Sequence, residues 1–147
     1  MNVKEIMTKN PATCVPTTKL AEVAKLMQKH DCGEIPVVRS KDNLELVGVV
    51  TDRDICCRAV AAGKNPADTA ASEVMSSPVF TVTADTDIAR SCKTFGEKEV
   101  RRLPVVDKQN HVVGILSLAD IAEKAPEQFA RELLRHSGKT AGQQPHV

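Results

Sequence analysis

Aromatic side chains are almost missing: the chain has three Phe, no Tyr and no Trp among its 147 residues. A protein that grips nucleic acid by stacking bases on aromatic platforms is hard to build from that inventory. Net charge is missing too, at +1 from 20 basic and 19 acidic side chains. No general pull toward nucleic acid or an anionic membrane surface therefore operates. Long apolar runs are absent, and stretches such as 46–50 fall far short of the roughly 20 residues that span a bilayer. The opening residues carry Lys4, Glu5 and Lys9 where a secretory signal would be apolar. A cytoplasmic location is expected, with neither membrane nor nucleic acid as a partner.

Glycine is sparse. Only seven are present, and none forms a loop that could cradle a phosphate. Catalysis is not expected. The cysteines, Cys14, Cys32, Cys56, Cys57 and Cys92, are odd in number and contain no CxxC pair. In a reducing compartment they read as small buried apolar residues. Cys56 and Cys57 are neighbours, and neighbours on a helix do not share a face, so they make a poor metal pair. His30, His111, His136 and His146 show no ligand spacing. A rival reading keeps a metal- or redox-responsive site open, with Cys14 and Cys32 approaching each other beside His30 or His111; no metal is the expectation. The remaining composition, 41 % apolar and 27 % charged, is that of an ordinary globular domain with a core.

What is present is a duplication. Glu5-Ile6-Met7 recurs as Glu73-Val74-Met75, and Ile35-Pro36-Val37-Val38 as Leu103-Pro104-Val105-Val106, both at an offset of 68. Leu20-Ala21 returns as Ile88-Ala89 and Met27 as Phe95 at the same offset. Beyond a polar, turn-like stretch at 40–45 the offset becomes 66, so that Val47-Gly48-Val49-Val50-Thr51 matches Val113-Gly114-Ile115-Leu116-Ser117. Such a slip belongs in a loop.

Each copy predicts the same order of elements. A short strand at 13–15 (80–82) precedes a helix at 18–30 (86–97), whose Leu20, Val23, Ala24 and Met27, or Ile88, Cys92 and Phe95, fall at helical spacing. A hairpin at 35–39 and 46–50 (103–107 and 112–116) follows, and a second helix starts at Thr51 and Ser117. The first of these helices should stop near Gly63. The organisation expected is repeat one over 1–62, a connection over 63–71, repeat two over 72–125, and a C-terminal part over 126–147. In that last part 126–135 forms a short helix with Phe129, Leu133 and Leu134 on one side, and the tail from 138 is unstructured.

The sharpest local signal lies at the strand-to-helix junction, Thr51-Asp52-Arg53-Asp54 and Ser117-Leu118-Ala119-Asp120. A hydroxyl with an acid three positions on is a capping box, and Asp in a first turn suits the helix dipole. Capping alone accounts for the spacing. The same carboxylate can also accept hydrogen bonds from two vicinal ribose hydroxyls, with phosphate received by the helix N-terminus and by Arg53, Arg101 or Arg102. Adenine would need an apolar slot with backbone groups, which the Ile35-Pro36 and Leu103-Pro104 edges can supply.

The Ile-Met start, the Pro-Val-Val strand and the Gly-x-x-Thr/Ser-x-x-Asp-Ile ending together resemble the tandem CBS domains of a Bateman module, over residues 3–124 and in both halves. The resemblance implies a mixed α/β (α+β) fold of two β-α-β-β-α repeats around a pseudo-twofold axis. It implies further association into a homodimer of pairs, an effector protein the sequence does not name, and clefts for AMP, ADP, ATP, NAD or S-adenosylmethionine. By matching position, one site takes Ser117 and Asp120 for ribose and Arg102 for phosphate, walled by Ala12, Thr13, Cys32, Gly33 and Glu34. The other takes Thr51 and Asp54 for ribose and Arg53 for phosphate, walled by Val79, Phe80, Val100 and Arg101. Where repeat two has Arg101-Arg102, repeat one has Gly33-Glu34, so the two sites should differ in their tolerance of phosphate. The function expected is that of a non-catalytic sensor; the alternatives are the metal- or redox-responsive reading and a purely structural association module.

Overall fold

Short β-branched runs parted by polar turns form hairpins, and amphipathic stretches between them form covering helices. The structure, a computed structural model, describes residues 1–141, with side chains as far as Arg135. Its elements are a 3-10 turn at Val3–Glu5, β1 (Thr8–Lys9), α1 (Leu20–His30), β2 (Glu34–Ser40), β3 (Asn43–Thr51) and α2 (Asp52–Asp54), which runs on as π-helical turns at Ile55–Val60. A second 3-10 turn at Ala71–Glu73 is followed by β4 (Val82–Thr83), α3 (Ile88–Lys98), β5 (Arg102–Val106), β6 (Val112–Ser117), α4 (Leu118–Lys124) and α5 (Glu127–Ala141).

The chain divides into two compact units. The early unit holds Asn10–Val79 with Lys108–Val112; the late unit holds Met1–Lys9, Phe80–Asp107 and the described chain from Val113 on. In the late unit the sheet order is β1-β6-β5-β4. Thr8 lies opposite Ile115 in an antiparallel pair, and Val82 opposite Val105 in a parallel one. Its core joins Ile88, Cys92 and Phe95 of α3 to Leu103, Val105, Leu116, Ile121 and Leu133. In the early unit β2 and β3 form an antiparallel hairpin with Ile35 opposite Val50. Single bridges, Cys14 to Val37 (parallel) and Val49 to Ser76 (antiparallel), stand where the late unit has β4 and β1. Leu20, Val23 and Met27 of α1 pack on Ile35, Val37 and Val50. Burying each such side chain fully is worth about 1.5–3 kcal/mol.

The units cut across the sequence repeats, because each takes the opening segment of the other repeat. In the late unit Val3 N–H donates to the Thr86 carbonyl at 3.0 Å, Lys4 to Ala84 at 2.9 Å, and Ile88 to Met1 at 3.0 Å. In the early unit the equivalents are Ala71 to Thr18 at 2.8 Å, Ser72 to Pro16 at 3.0 Å, and Leu20 to Thr69 at 2.9 Å. Val3 and Ile6 are buried in the late core, Ala71 and Val74 in the early one.

The expected architecture is present, with local corrections. The strand expected at 13–15 is reduced to the single Cys14 bridge, and its copy runs over Val82–Thr83 instead of 80–82. α1 and α3 start two residues later than expected because Thr18 and Thr86 spend their side chains on turns, accepting from the N–H groups of Val15 and Thr83. Ala24, expected on the apolar face of α1, is exposed. Chain reversal after the first second helix does use Gly63, at φ 75°. α5 is longer than expected and continues through Gly138 to Ala141, and residues 142–147, the rest of the expected unstructured tail, lie outside the described residues. Leu133 is buried and Phe129 packs on the core, whereas Leu134 is 72 % exposed and does not share their face.

The close approach of the opening segments explains one glycine in each unit. A Cβ at Gly114 would lie 2.7 Å from Met7 Sδ and 2.9 Å from the Thr8 carbonyl. At Gly48 the Cβ would lie 2.7 Å from Met75 Sδ, with the nearest backbone atom, Ser76 O, at 3.2 Å. A methionine tip can move away; a backbone carbonyl held in a sheet cannot. Gly114→Ala should therefore cost about 1–3 kcal/mol and Gly48→Ala clearly less, as read by urea unfolding; equal costs would show that backbone approach is not what keeps Gly114.

Candidate functional site

The two strand-to-helix junctions are built alike from their hydroxyls. Thr51 and Ser117 sit in extended backbone at the ends of β3 and β6, and each side chain accepts the N–H of the Asp three residues on, at 3.0 Å in both cases. The Asp carboxylates return the bond: Asp54 Oδ2 accepts from Thr51 N–H at 3.0 Å, and Asp120 Oδ2 from Ser117 N–H at 2.9 Å. This is the expected capping box, made twice. It holds Asp54 and Asp120 with their carboxyls largely buried.

A backbone bond pins a neighbouring strand start beside each cap. Leu118 N–H donates to the Arg101 carbonyl at 3.0 Å, and Asp52 N–H to the Gly33 carbonyl at 2.9 Å. The late unit thus brings Arg101 and Arg102 alongside Ser117 and Asp120, with Arg101 exposed and Arg102 half-buried. The early unit brings Gly33 and Glu34 alongside Thr51, Arg53 and Asp54, with Arg53 exposed and Glu34 buried. The charge difference read from the sequence is therefore a difference beside the caps: two guanidinium groups in one unit, a buried carboxyl in the other.

The remaining predicted residues fall as follows. In the early unit Ala12, Thr13, Cys32 and Val79 are half-buried, while Ile35 and Pro36 are buried. Ile35 belongs to the core, and the Pro36 carbonyl already accepts from Cys14 N–H at 3.0 Å. In the late unit Leu103 and Pro104 are buried and Val100 packs against the core. Phe80 is 46 % exposed, with the Lys98 ammonium 4.9 Å from its ring centroid.

Two cations not singled out in the sequence stand at the caps. Arg58 lies 3.7 Å from Asp54 Oδ1, and Lys124 3.0 Å from Asp120 Oδ1. An acid followed four residues later by a base on a helix is a readable signal, and the pair recurs at the repeat offset of 66.

The thiols divide by burial. Burial, helped by the charge of Glu22, pushes the Cys14 thiol up to about 12; burial, helped first by Glu132, pushes Cys92 up to about 11. Cys56 and Cys57 correct the expectation of five buried cysteines: they are exposed on the π-helical turns that continue α2, and Cys32 is half-buried. No three His, Cys, Asp or Glu side chains among the described residues are grouped to hold a metal ion. No described helix is long and apolar enough to cross a membrane.

Comparison with known proteins agrees with this architecture. The CBS domain family profile matches residues 3–59 and 71–127. The CBS domain-containing protein YhcV of Bacillus subtilis is 39 % identical over 121 residues, 82 % of this chain and 83 % of that protein. An uncharacterised protein of Methanopyrus kandleri is 35 % identical over 86 % of this chain, which spans 63 % of that protein's length. Among solved structures, a CBS domain protein from Pyrobaculum aerophilum complexed with AMP superposes with a TM-score of 0.79 at 26 % identity, covering 92 % of this chain and 99 % of that one. A CBS domain pair in complex with 5′-methylthioadenosine and S-adenosyl-L-methionine gives 0.76 at 29 % identity, covering 90 % and 98 %. Hypoxic Response Protein I with two coordinated zinc ions gives 0.76 at 32 % identity, covering 86 % and 100 %.

The thiol environments predict both chemistry and stability. At pH 8, mass-resolved alkylation of the native protein should modify Cys56 and Cys57 first and leave Cys14 and Cys92 unmodified. Because folding raises the last two above their ordinary value of 9.0, the folded state keeps protons that the unfolded state loses. Stability should therefore be intact below about pH 9 and fall as pH rises through 11 to 12. Unfolding free energies flat across that window would contradict the burial of these thiols.

Proposed function

The chain belongs to the CBS domain family, carrying the domain twice, and on that premise we propose that it is a non-catalytic regulatory sensor of adenine nucleotides. The observation that carries this reading is the cap itself: in each repeat a buried carboxylate stands at a helix N-terminus, a fitting acceptor for the vicinal hydroxyls of a ribose. The ligands held by the Pyrobaculum protein and by the pair crystallised with S-adenosylmethionine share an adenosine, which supports the assignment by class.

In this reading Thr51 with Asp54 and Ser117 with Asp120 take ribose, and Arg53, Arg101 and Arg102 take phosphate. Ala12, Thr13, Cys32, Gly33, Glu34, Ile35, Pro36, Val79, Phe80, Val100, Leu103 and Pro104 offer backbone edges and apolar surface to the base. Arg102 makes the Ser117/Asp120 site the phosphate-tolerant one, while the buried Glu34 disfavours phosphate beside Thr51. The ligand is AMP, ADP, ATP or NAD, and binding shifts a conformational or association equilibrium of a cytoplasmic homodimer, which an effector protein reads.

The zinc-bound relative favours a second reading, a metal-responsive protein. It has less support, since no three His, Cys, Asp or Glu side chains among the described residues are grouped to hold a metal ion. Stoichiometric Zn²⁺ in tag-free protein would restore it.

Calorimetric titration with AMP, ATP, NAD and adenosine tests the main reading. Asp120→Ala should weaken binding about 10- to 100-fold, the range for losing hydrogen bonds to a charged group. Arg102→Ala should weaken AMP but spare adenosine. Absence of binding to all four would reduce the two Asp residues to helix caps and leave an association module.

A further inference from the structure

Each cap carboxylate is tied to more than its own helix. Lys124 Nζ, 3.0 Å from Asp120 Oδ1, also donates to the Ile6 carbonyl at 3.3 Å, across 118 residues of sequence. Arg58, 3.7 Å from Asp54 Oδ1, donates from the same nitrogen to the Val74 carbonyl at 2.9 Å and to Ser76 Oγ at 3.1 Å. Ile6 and Val74 are equivalent positions in the two opening segments, and Lys124 and Arg58 are equivalent positions in the two second helices. The same three-part chain of carboxylate, cation and opening-segment carbonyl has therefore been built once in each unit, with different cations.

A solvated i,i+4 pair explains only its first link. Such a pair is worth a few tenths of a kcal/mol and asks nothing of a distant carbonyl. The second link recurs with Lys in one unit and Arg in the other, each long enough to reach both groups.

The acceptor count gives this arrangement a use. A carboxylate offers about four lone-pair sites, two on each oxygen. In Asp120 the Ser117 N–H takes one on Oδ2 and the Lys124 ammonium one on Oδ1. One site then remains on each oxygen, the number that two vicinal hydroxyls require. The cation fixes the carboxylate's orientation between a cap bond on one side and a backbone tie on the other.

We propose that Lys124 and Arg58 are positioning residues that hold the ribose-accepting carboxylates of Asp120 and Asp54 and couple their occupancy to the docking of the opening segments, 3–9 in the late unit and 71–77 in the early one. The proposal deepens the adenosine-binding reading and rests on it for the ligand, though not for the tie. A hydroxyl pair bound to Asp120 orders the carboxylate, hence the ammonium, hence the Ile6 carbonyl, where Met7 seats against Gly114. By linkage, a firmly docked segment favours the ligand to the same degree.

Amide hydrogen exchange read by mass spectrometry, with and without AMP or adenosine, tests this in wild type, Lys124→Met, Lys124→Arg and Arg58→Met. In wild type AMP should slow exchange over 3–9, and adenosine, which brings no phosphate against Glu34, should slow it over both 3–9 and 71–77. Lys124→Met should speed ligand-free exchange over 3–9 severalfold and abolish its slowing by AMP, while leaving 71–77 as in wild type. Arg58→Met should do the converse with adenosine, and Lys124→Arg should restore wild-type behaviour, as the Arg at the equivalent position implies. Unchanged exchange over 3–9 in Lys124→Met, with and without AMP, overturns the proposal. If wild type binds neither AMP nor adenosine, the adenosine reading fails by itself, and the ligand-free comparison of wild type with Lys124→Met still decides whether the tie exists.

Discussion

The structure turns on a reciprocal pair of hydrogen bonds made where a strand becomes a helix. At Thr51 and Ser117 the chain leaves extended backbone with its first helical N–H groups lacking partners inside the helix, and the Asp three residues on closes the exchange. This cap fixes where α2 and α4 begin, and buries a carboxyl at a positive helix end. It also sets the junction against the neighbouring strand start through the Leu118–Arg101 and Asp52–Gly33 backbone bonds. The polar groups of the candidate site are thus positioned by the same bonds that make the fold, so on the proposed reading stability and ligand binding would share their atoms.

Duplication accounts for the rest of the organisation. Each repeat contributes a sheet and helices to one unit and lends its opening segment to the other, through matching backbone bonds at Val3, Lys4 and Ile88 and at Ala71, Ser72 and Leu20. Apolar burial of Val3 and Ile6, and of Ala71 and Val74, holds those segments in place. The copies have diverged in their charged side chains at two matching places. Arg101-Arg102 and Gly33-Glu34 occupy equivalent strand starts, and Lys124 and Arg58 occupy equivalent helix turns.

Much of this was legible beforehand because it is local. The caps follow from Ser/Thr-x-x-Asp, the hairpins from β-branched runs parted by a polar turn, and the helix faces from Leu20, Val23 and Met27. The exchange of opening segments was not legible, because it is made by backbone N–H and carbonyl groups that every residue carries. The repeat offset marks the segments as equivalent without saying which body receives them. Cys56 and Cys57 depart from the expectation that cysteine is buried: both stand exposed on the π-helical turns that continue α2. Leu134 departs from the expected face because it stands five residues after Phe129, whereas Leu133, four residues after it, shares that face and is buried.

The proposed sensing role requires a ligand contact that the fold already holds in place and a segment able to report it. Asp54 and Asp120 are held by their caps, and the opening segments lie one cation away. The measurement that tests this account most directly is an amide-resolved NMR titration comparing AMP with its 2′,3′-dideoxy analogue. The account predicts that AMP shifts the Ser117 and Asp120 amides while the analogue, identical in base and phosphate, leaves them unmoved and binds far more weakly. Equal shifts and equal affinity for the two nucleotides would contradict it, because the carboxylates would then be caps that the ribose never touches.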